Sequence, residues 1–282
     1  KRTAQKTPQM IEFLRNYQYS ASSINLYLKN PMDFYHQHVL GLREQEDLLD
    51  EPENRQVGIF VHDLLEAIFK RFVGKPLVID KAFVDDARGI FHSRFQDFFE
   101  KSRRPDVFLM RRVIETRFDQ FLEREAGRAG MIDRVECLEK KFDTVVPLAC
   151  GEIGFRCVVD RIDRMKDGRL LILDYKTGHI AHLFPKDLPE VEAVAADREA
   201  IQETVRSFQL PLYFYSVRRE FPGTEVDAGL YDLRTQEIKT FLGKKTGDDA
   251  RRIEQAFLRA LDYVVREILD PDMPFVETEG KR

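Results

Sequence analysis

The stretch VVDRIDRMKDGRLLILDYKTG, residues 158–178, decides how this chain is read. Two apolar, β-rich runs flank the polar punctuation Lys166-Asp167-Gly168, which is the pattern of a hairpin. The second arm, LILDYKTG (171–178), opens as a buried strand and then places Asp174 and Lys176 two residues apart. Side chains alternate across a strand, so Ile172, Asp174 and Lys176 share one face while Leu171, Leu173 and Tyr175 share the other. Taken alone, such an acid–base pair reads as a salt bridge on a sheet rim.

The turn sets which acid of the first arm meets Asp174. A two-residue turn at Asp167-Gly168 pairs Lys166 with Arg169 and brings Asp163 onto the Asp174 face. A three-residue loop, Lys166-Asp167-Gly168, pairs Met165 with Arg169 and sets Asp160 opposite Asp174. The two registers differ by one residue and exchange the faces of the two acids. Glycine in the last, left-handed position of the loop favours the second register. Asp163 is then expected in a surface ion pair with Arg161 or Arg164. Two carboxylates on neighbouring strands repel and require a counter-charge. Oxygen-rich sites of this kind suit Mg²⁺ or Mn²⁺. A lysine beside such an ion can orient or deprotonate a water and stabilise charge on a phosphate, the parts needed for metal-assisted phosphodiester hydrolysis. A structural Asp160–Lys176–Asp174 network on a solvated rim is the alternative.

Around this hairpin the chain changes character near residue 130. Before it, apolar spacing is helical. Residues 19–42 carry serine caps at Ser20 and Ser22 and are interrupted by Pro31, and 57–72 places Val61, Leu64, Leu65, Ile68 and Phe72 on one face. Two more helices are expected over 81–101 and 107–126. From Arg134 three strand-like runs follow, then a polar loop (179–198), a helix over 199–219, two strands within 228–243 and a closing helix over 247–268. This order predicts an α/β protein with a central mixed sheet flanked by helices: a mainly helical portion over about 1–130 and an α/β core over about 131–282, in one domain.

Composition narrows the classes. With 282 residues, 43% hydrophobic and 33% charged, the chain can bury a full core. No apolar run approaches the roughly 20 residues of a membrane span. Cys137, Cys150 and Cys157 form no CxxC pair, which argues against disulfide, zinc or iron–sulfur frameworks and fits a reducing cytoplasm. A net charge of -4 gives no bulk support to nucleic-acid binding, leaving local patches such as Lys101, Arg103, Arg104, Arg111 and Arg112, which a solvated helix face also explains. His179 and His182 form an HxxH pair without a third ligand in sequence, a weak zinc signal. The chain begins at Lys1 rather than Met and is expected to be part of a longer protein.

The hairpin resembles the core motif of the PD-(D/E)XK nucleases, in the RecB-like branch that includes the AddB C-terminal nuclease domain. SASSINLYLKNPMDFY resembles that family's N-terminal segment, GIFVHDLLE its histidine helix and QLPLYFY its Q-x-x-x-Y helix, in the family's order over roughly residues 20 to 240. The resemblance implies a restriction-endonuclease-like fold. By position it implies Asp160 and Asp174 as metal ligands, Lys176 as the catalytic lysine and His62 as a further metal-site residue. Gln209 and Tyr213 would support the site or touch DNA, and Glu66, one turn after His62, could back it up. Read without the motif, His62 and Glu66 are ordinary helix residues and Gln209 with Tyr213 a packing pair.

The implied function is a Mg²⁺- or Mn²⁺-dependent DNA nuclease, exonucleolytic, acting in DNA repair or recombination with a helicase subunit or helicase-like domain. A non-catalytic DNA-binding or scaffolding module on the same fold is the rival. Asn30-Pro31 stands where many relatives have Cys-Pro, that cysteine being one iron–sulfur ligand, so no iron–sulfur cluster is expected in this chain. Cys157 likewise stands where relatives often have glycine.

Overall fold

A computed structural model describes residues 2–42, 52–100, 107–186, 188–194, 197–243, 245 and 247–278. Strand β1 (Thr3–Ala4) precedes helices α1 (Pro8–Arg15), α2 (Ala21–Lys29) and α3 (Pro31–Phe34), then α4 (Pro52–Phe69), α5 (Lys81–Phe95) and α6 (Val107–Ala129). Ser20 caps α2 through the Ser23 amide, and Pro31 ends that helix as its spacing predicts. Asn30 closes α2 and opens α3: its Oδ1 accepts from the amides of Met32 and Thr278. Of the basic cluster, Lys101, Arg103 and Arg104 lie outside the described residues.

Strands β2 (Ile132–Leu148), β3 (Gly151–Met165) and β4 (Leu170–Lys176) form an antiparallel meander. Helices α7 (Leu188–Glu192), α8 (Arg198–Val205) and α9 (Gln209–Glu220) cross over to β5 (Val226–Asp232), which pairs parallel to β4. Strand β6 (Glu237–Thr240) pairs antiparallel to β5, and α10 (Asp248–Leu269) and β7 (Phe275–Val276) complete the chain. The five-stranded sheet has the order β2-β3-β4-β5-β6, and β1 pairs with β7. The expected mixed sheet flanked by helices is what forms.

The helix expected over 199–219 is two helices, and the segment expected as a loop before it contains α7. A continuous helix would need an amide hydrogen on Pro211 to bond the Ser207 carbonyl, and proline has none. The chain breaks at Arg206, with φ of 62°, leaving Pro211 inside the first turn of α9, where no such donor is needed. This break places Gln209 at the start of a helix pointed at the sheet.

Strand alternation divides the core. Leu170 and Ile172 join Val159, Ile162 and residues of α2, α8, α9 and α10 on one face. Leu173, Tyr175 and Tyr231 join Phe60, Leu64, Leu65, Phe118 and Phe121 of α4 and α6 on the other. Each fully buried Leu or Ile of β4 contributes about 1.5–3 kcal/mol to folding. A strand buried on both faces is held firmly in position, so its last residues are presented rigidly at the sheet's end. No helix among the described residues is long and apolar enough to cross a membrane.

Candidate active site

Arg161 pairs with Leu173, Ile162 with Ile172 and Asp163 with Leu171. The Met165 amide donates to the Arg169 carbonyl, and Gly168 has φ of 89°. This is the three-residue loop, and it puts Asp160 across from Asp174. The pairing ends one step short of them: instead, the Tyr175 amide donates to Asp160 Oδ2 at 2.7 Å. Both acids are nearly inaccessible, Asp160 at 8% exposure and Asp174 at 2%.

Asp163 does not sit on the surface. The same register turns Arg161 and Asp163 to the face covered by α6, where each is fully buried. Arg161 Nε donates to Asp163 Oδ1 at 2.6 Å and Nη1 to Glu125 Oε2 at 2.7 Å. Arg128 Nη2 donates to Asp163 Oδ2 at 3.1 Å, and Arg128 also pairs with Glu125. Two positive and two negative groups thus neutralise one another inside the protein. Burial pushes the Glu125 carboxyl up, and Arg161 with Arg128 more than reverse this, leaving it below its ordinary range. The expectation of a surface pair missed the contribution of α6, whose Arg128 lies 35 positions from Asp163 and whose Glu125 lies 36 from Arg161.

His62 projects from α4 toward the end of β4. Its Nε2 lies 3.0 Å from the Tyr175 carbonyl oxygen and its Nδ1 3.4 Å from Asp160 Oδ2. A carbonyl only accepts, so Nε2 carries the hydrogen and Nδ1 faces the carboxylate. In neutral imidazole, that arrangement sets a lone pair against an anion, and a cation or a proton must relieve it. Burial pushes the His62 pKa down, but Asp160 outweighs it and the net shift is upward.

Asp174 is held by three side chains. Lys176 Nζ lies 2.6 Å from Oδ2, while Gln209 Nε2 at 2.8 Å and the Tyr213 hydroxyl at 3.3 Å meet Oδ1. Gln209 also donates to the Tyr213 oxygen at 2.8 Å. Burial, then Asp160, push the Asp174 carboxyl up to about 6 against the opposing pull of Lys176 and His62. Burial raises the Tyr213 hydroxyl well above its ordinary value, so it stays a neutral donor.

Sequence reasoning missed Glu139. Leu138 pairs with Arg161 and Lys140 with Val159, which sets Glu139 opposite Asp160 on β2, and its φ of 44° interrupts the ladder there. His62, Glu139 and Asp160 each offer a ligand atom, and these atoms lie within 4.8 Å of one another. Burial, then Asp160, raise the Glu139 carboxyl to about 7, with Glu66 among the charges adding to the shift. The signal available was the two-residue connection Ala149-Cys150: counting back from it aligns Glu139 with Asp160, but Ala-Cys carries no turn chemistry. The histidine pair does not assemble. His179 Nε2 instead lies 2.9 Å from Arg234 Nη1, and His182 is exposed on a separate turn.

These residues fit a divalent cation on their own chemistry. Glu139 and Asp160 converge with His62, and Asp174 lies beside them. Burial, then the neighbouring Asp160, raises the Glu139 and Asp174 carboxyls, and Nδ1 of His62 faces the Asp160 carboxylate. The raised values set the sign of a pH dependence. Asp174 and Glu139 bind their protons more tightly folded than unfolded, as does His62. The stabilisation of the protonated site is therefore complete below about pH 4 and is lost as pH rises through about 6 and 7. For buried Asp174 the loss is on the order of 3 kcal/mol. Metal-free protein is expected to unfold at lower temperature near pH 7.5 than near pH 5, and Asp174→Asn to flatten that decline. Thermal unfolding in chelator at both pH values checks it.

The chain is similar to an ATP-dependent helicase/deoxyribonuclease subunit of Streptococcus agalactiae serotype Ia, with 26% identity over 269 residues, covering 89% of this chain and 22% of the relative. It is also similar to the protein of the same name from Streptococcus uberis, at 24% identity over 56% of this chain and 14% of the relative. An uncharacterized protein of Rickettsia bellii is 26% identical over 57% of this chain and 19% of its own length. The chain thus spans about a fifth of the length of these curated relatives. A match to the PD-(D/E)XK nuclease superfamily runs over residues 18–280, from ahead of the α2 cap to beyond β7, and takes in the hairpin and every side chain of the cluster: the chain belongs to that superfamily.

Proposed function

We propose that this chain is a nuclease domain that hydrolyses DNA phosphodiester bonds with Mg²⁺ or Mn²⁺, acting exonucleolytically in repair or recombination beside a helicase subunit or helicase-like domain. The observation that carries this is the meeting of His62, Asp160, Asp174 and Lys176 at the end of one doubly buried strand. The partner and the DNA substrate rest on the names of the streptococcal relatives, helicase/deoxyribonuclease subunits. Asp160, Asp174 and His62 would hold the cation, with Glu139 within reach as a further ligand.

A bound divalent ion would supply Lewis-acid charge beside the scissile phosphate and lower the pKa of water there. The protein's own groups do the rest. Lys176 stands against Asp174 at the mouth of the cluster, where its ammonium would neutralise a phosphate oxygen or orient the attacking water. Gln209 and Tyr213 fix the orientation of the Asp174 carboxylate by giving Oδ1 two donors. The Tyr175 backbone serves twice, its amide fixing Asp160 and its carbonyl fixing the His62 tautomer. With Mn²⁺, purified protein is expected to degrade labelled single- or double-stranded DNA, and Lys176→Ala to lower the rate by about 10²–10⁴-fold. If neither DNA form is cut, or if Lys176→Ala cuts as well as the parent, the enzymatic reading fails.

A further inference from the structure

A cavity of about 350 Å³ lies between α4, α6 and the residues that follow β4. Its walls combine Val61 and Leu65 of α4 with Phe118 and Phe121 of α6, while Arg117 and Arg234 bring two guanidinium groups. The volume falls at the low end of small-molecule sites, roughly 300–1,000 Å³. It holds one planar heterocycle and part of a sugar, and is too small for a helix or an extended peptide.

The position of this cavity distinguishes it from an ordinary packing defect. Thr177 and Gly178 form part of its wall and directly follow Lys176, about 3.8 Å per residue along the backbone. Val61 precedes His62 on α4, and Gly58 one turn earlier is packed toward Thr177: a Cβ there would stand 3.7 Å from its Oγ1. The catalytic acids use one face of β4 and this cavity the other, with the strand's last residues shared. A nucleotide seated in it lies beside the residues that directly follow Lys176.

Its polar groups suit a phosphodiester. Arg117 is exposed, with no carboxylate partner among the described residues. Arg234 gives Nη1 to His179 and Nη2 to Asp232, at 2.9 and 3.3 Å, and its buried Nε has no partner among the described residues. Aromatic rings beside arginines bind unstacked bases, each stacked base contributing enough to change affinity by roughly 5- to 150-fold. We infer that this cavity is a nucleobase subsite, taking one unpaired base of the strand being cleaved while Arg117 meets its flanking phosphate. This deepens the nuclease reading and rests on it.

The test walks a single abasic position along a short single-stranded oligonucleotide and measures binding in chelator. Wild-type protein is expected to bind about tenfold more weakly when the abasic position falls in the subsite and to change little elsewhere. Val57→Trp, which crowds the same wall, is expected to erase that contrast with its thermal unfolding preserved. Arg117→Gln, at an exposed position that cannot unfold the core, is expected to weaken intact and abasic strands alike and to lower the salt slope by about 1. A flat abasic series in wild-type protein that cleaves DNA with Mn²⁺ overturns the subsite and leaves the nuclease reading standing. So does a contrast unchanged in folded Val57→Trp. Protein that neither binds nor cleaves DNA overturns both.

Discussion

Asp160→Asn is expected to reduce Mn²⁺-dependent DNA cleavage by about 10³-fold while leaving the protein folded. The asparagine keeps an oxygen for the Tyr175 amide, so the end of β4 retains its anchor. What it loses is the charge facing His62 at 3.4 Å and the second carboxylate of the proposed cation site. Removing one of two crowded carboxylates also relieves their repulsion, so the Asp174 carboxyl should titrate closer to its ordinary range. Asp163→Asn supplies the contrast. Asp163 lies on the opposite face of the sheet, so the fraction of that variant that folds should keep its specific activity. Inactive Asp163→Asn with normal stability, beside active Asp160→Asn, would contradict the roles assigned to the two faces.

Arg161→Ala is expected to destabilise the protein by about 3–5 kcal/mol, the scale for removing one partner of a buried ion network. The loss strands the Asp163 and Glu125 carboxylates, both fully buried, against a single remaining guanidinium at Arg128. It also removes the guanidinium stacked 4.2 Å from the Phe69 ring centre and the donor to the Tyr175 hydroxyl. At about 2–4 °C per kcal/mol for a chain of this size, unfolding should fall by roughly 6–20 °C. A drop under about 1 kcal/mol would mean that the quartet is hydrated in solution. Tyr175 joins this quartet to the cluster across the strand, so the two halves of the prediction meet at one residue.

How much of this was legible in sequence depends on how far apart the interacting residues lie. The hairpin register followed from a local rule, glycine at the left-handed end of a three-residue loop, and that rule placed Asp160 correctly. Helices marked by a cap, such as α2, or by strong periodicity, such as α10, were equally local. The N-terminal cap of α2 and the stop at Pro31 needed no tertiary information. The break at Arg206 was also decidable, since Pro211 forbids a helix through Ser207, but a propensity reading of 199–219 passed over it. Two features needed the third dimension. Asp163 became a buried group only when α6 brought Glu125 and Arg128 over it. Glu139 joined the cluster through the Ala149-Cys150 connection and a left-handed glutamate, neither of which has a turn signature. His62, Gln209 and Tyr213 were named by resemblance alone, because nothing in helical spacing aims side chains from two distant helices at Asp160 and Asp174.

The central claim is that the end of β4 is a divalent-cation centre, and Mn²⁺ diffusion into crystals of the protein tests it most directly. The account predicts an anomalous peak bounded by His62 Nδ1, Asp160 and Asp174, at about 2.0–2.3 Å from its nitrogen and oxygen ligands, absent from crystals of Asp160→Asn. Manganese bound only elsewhere, or an ordered water network there with Lys176 still closed on Asp174 at saturating Mn²⁺, would contradict it.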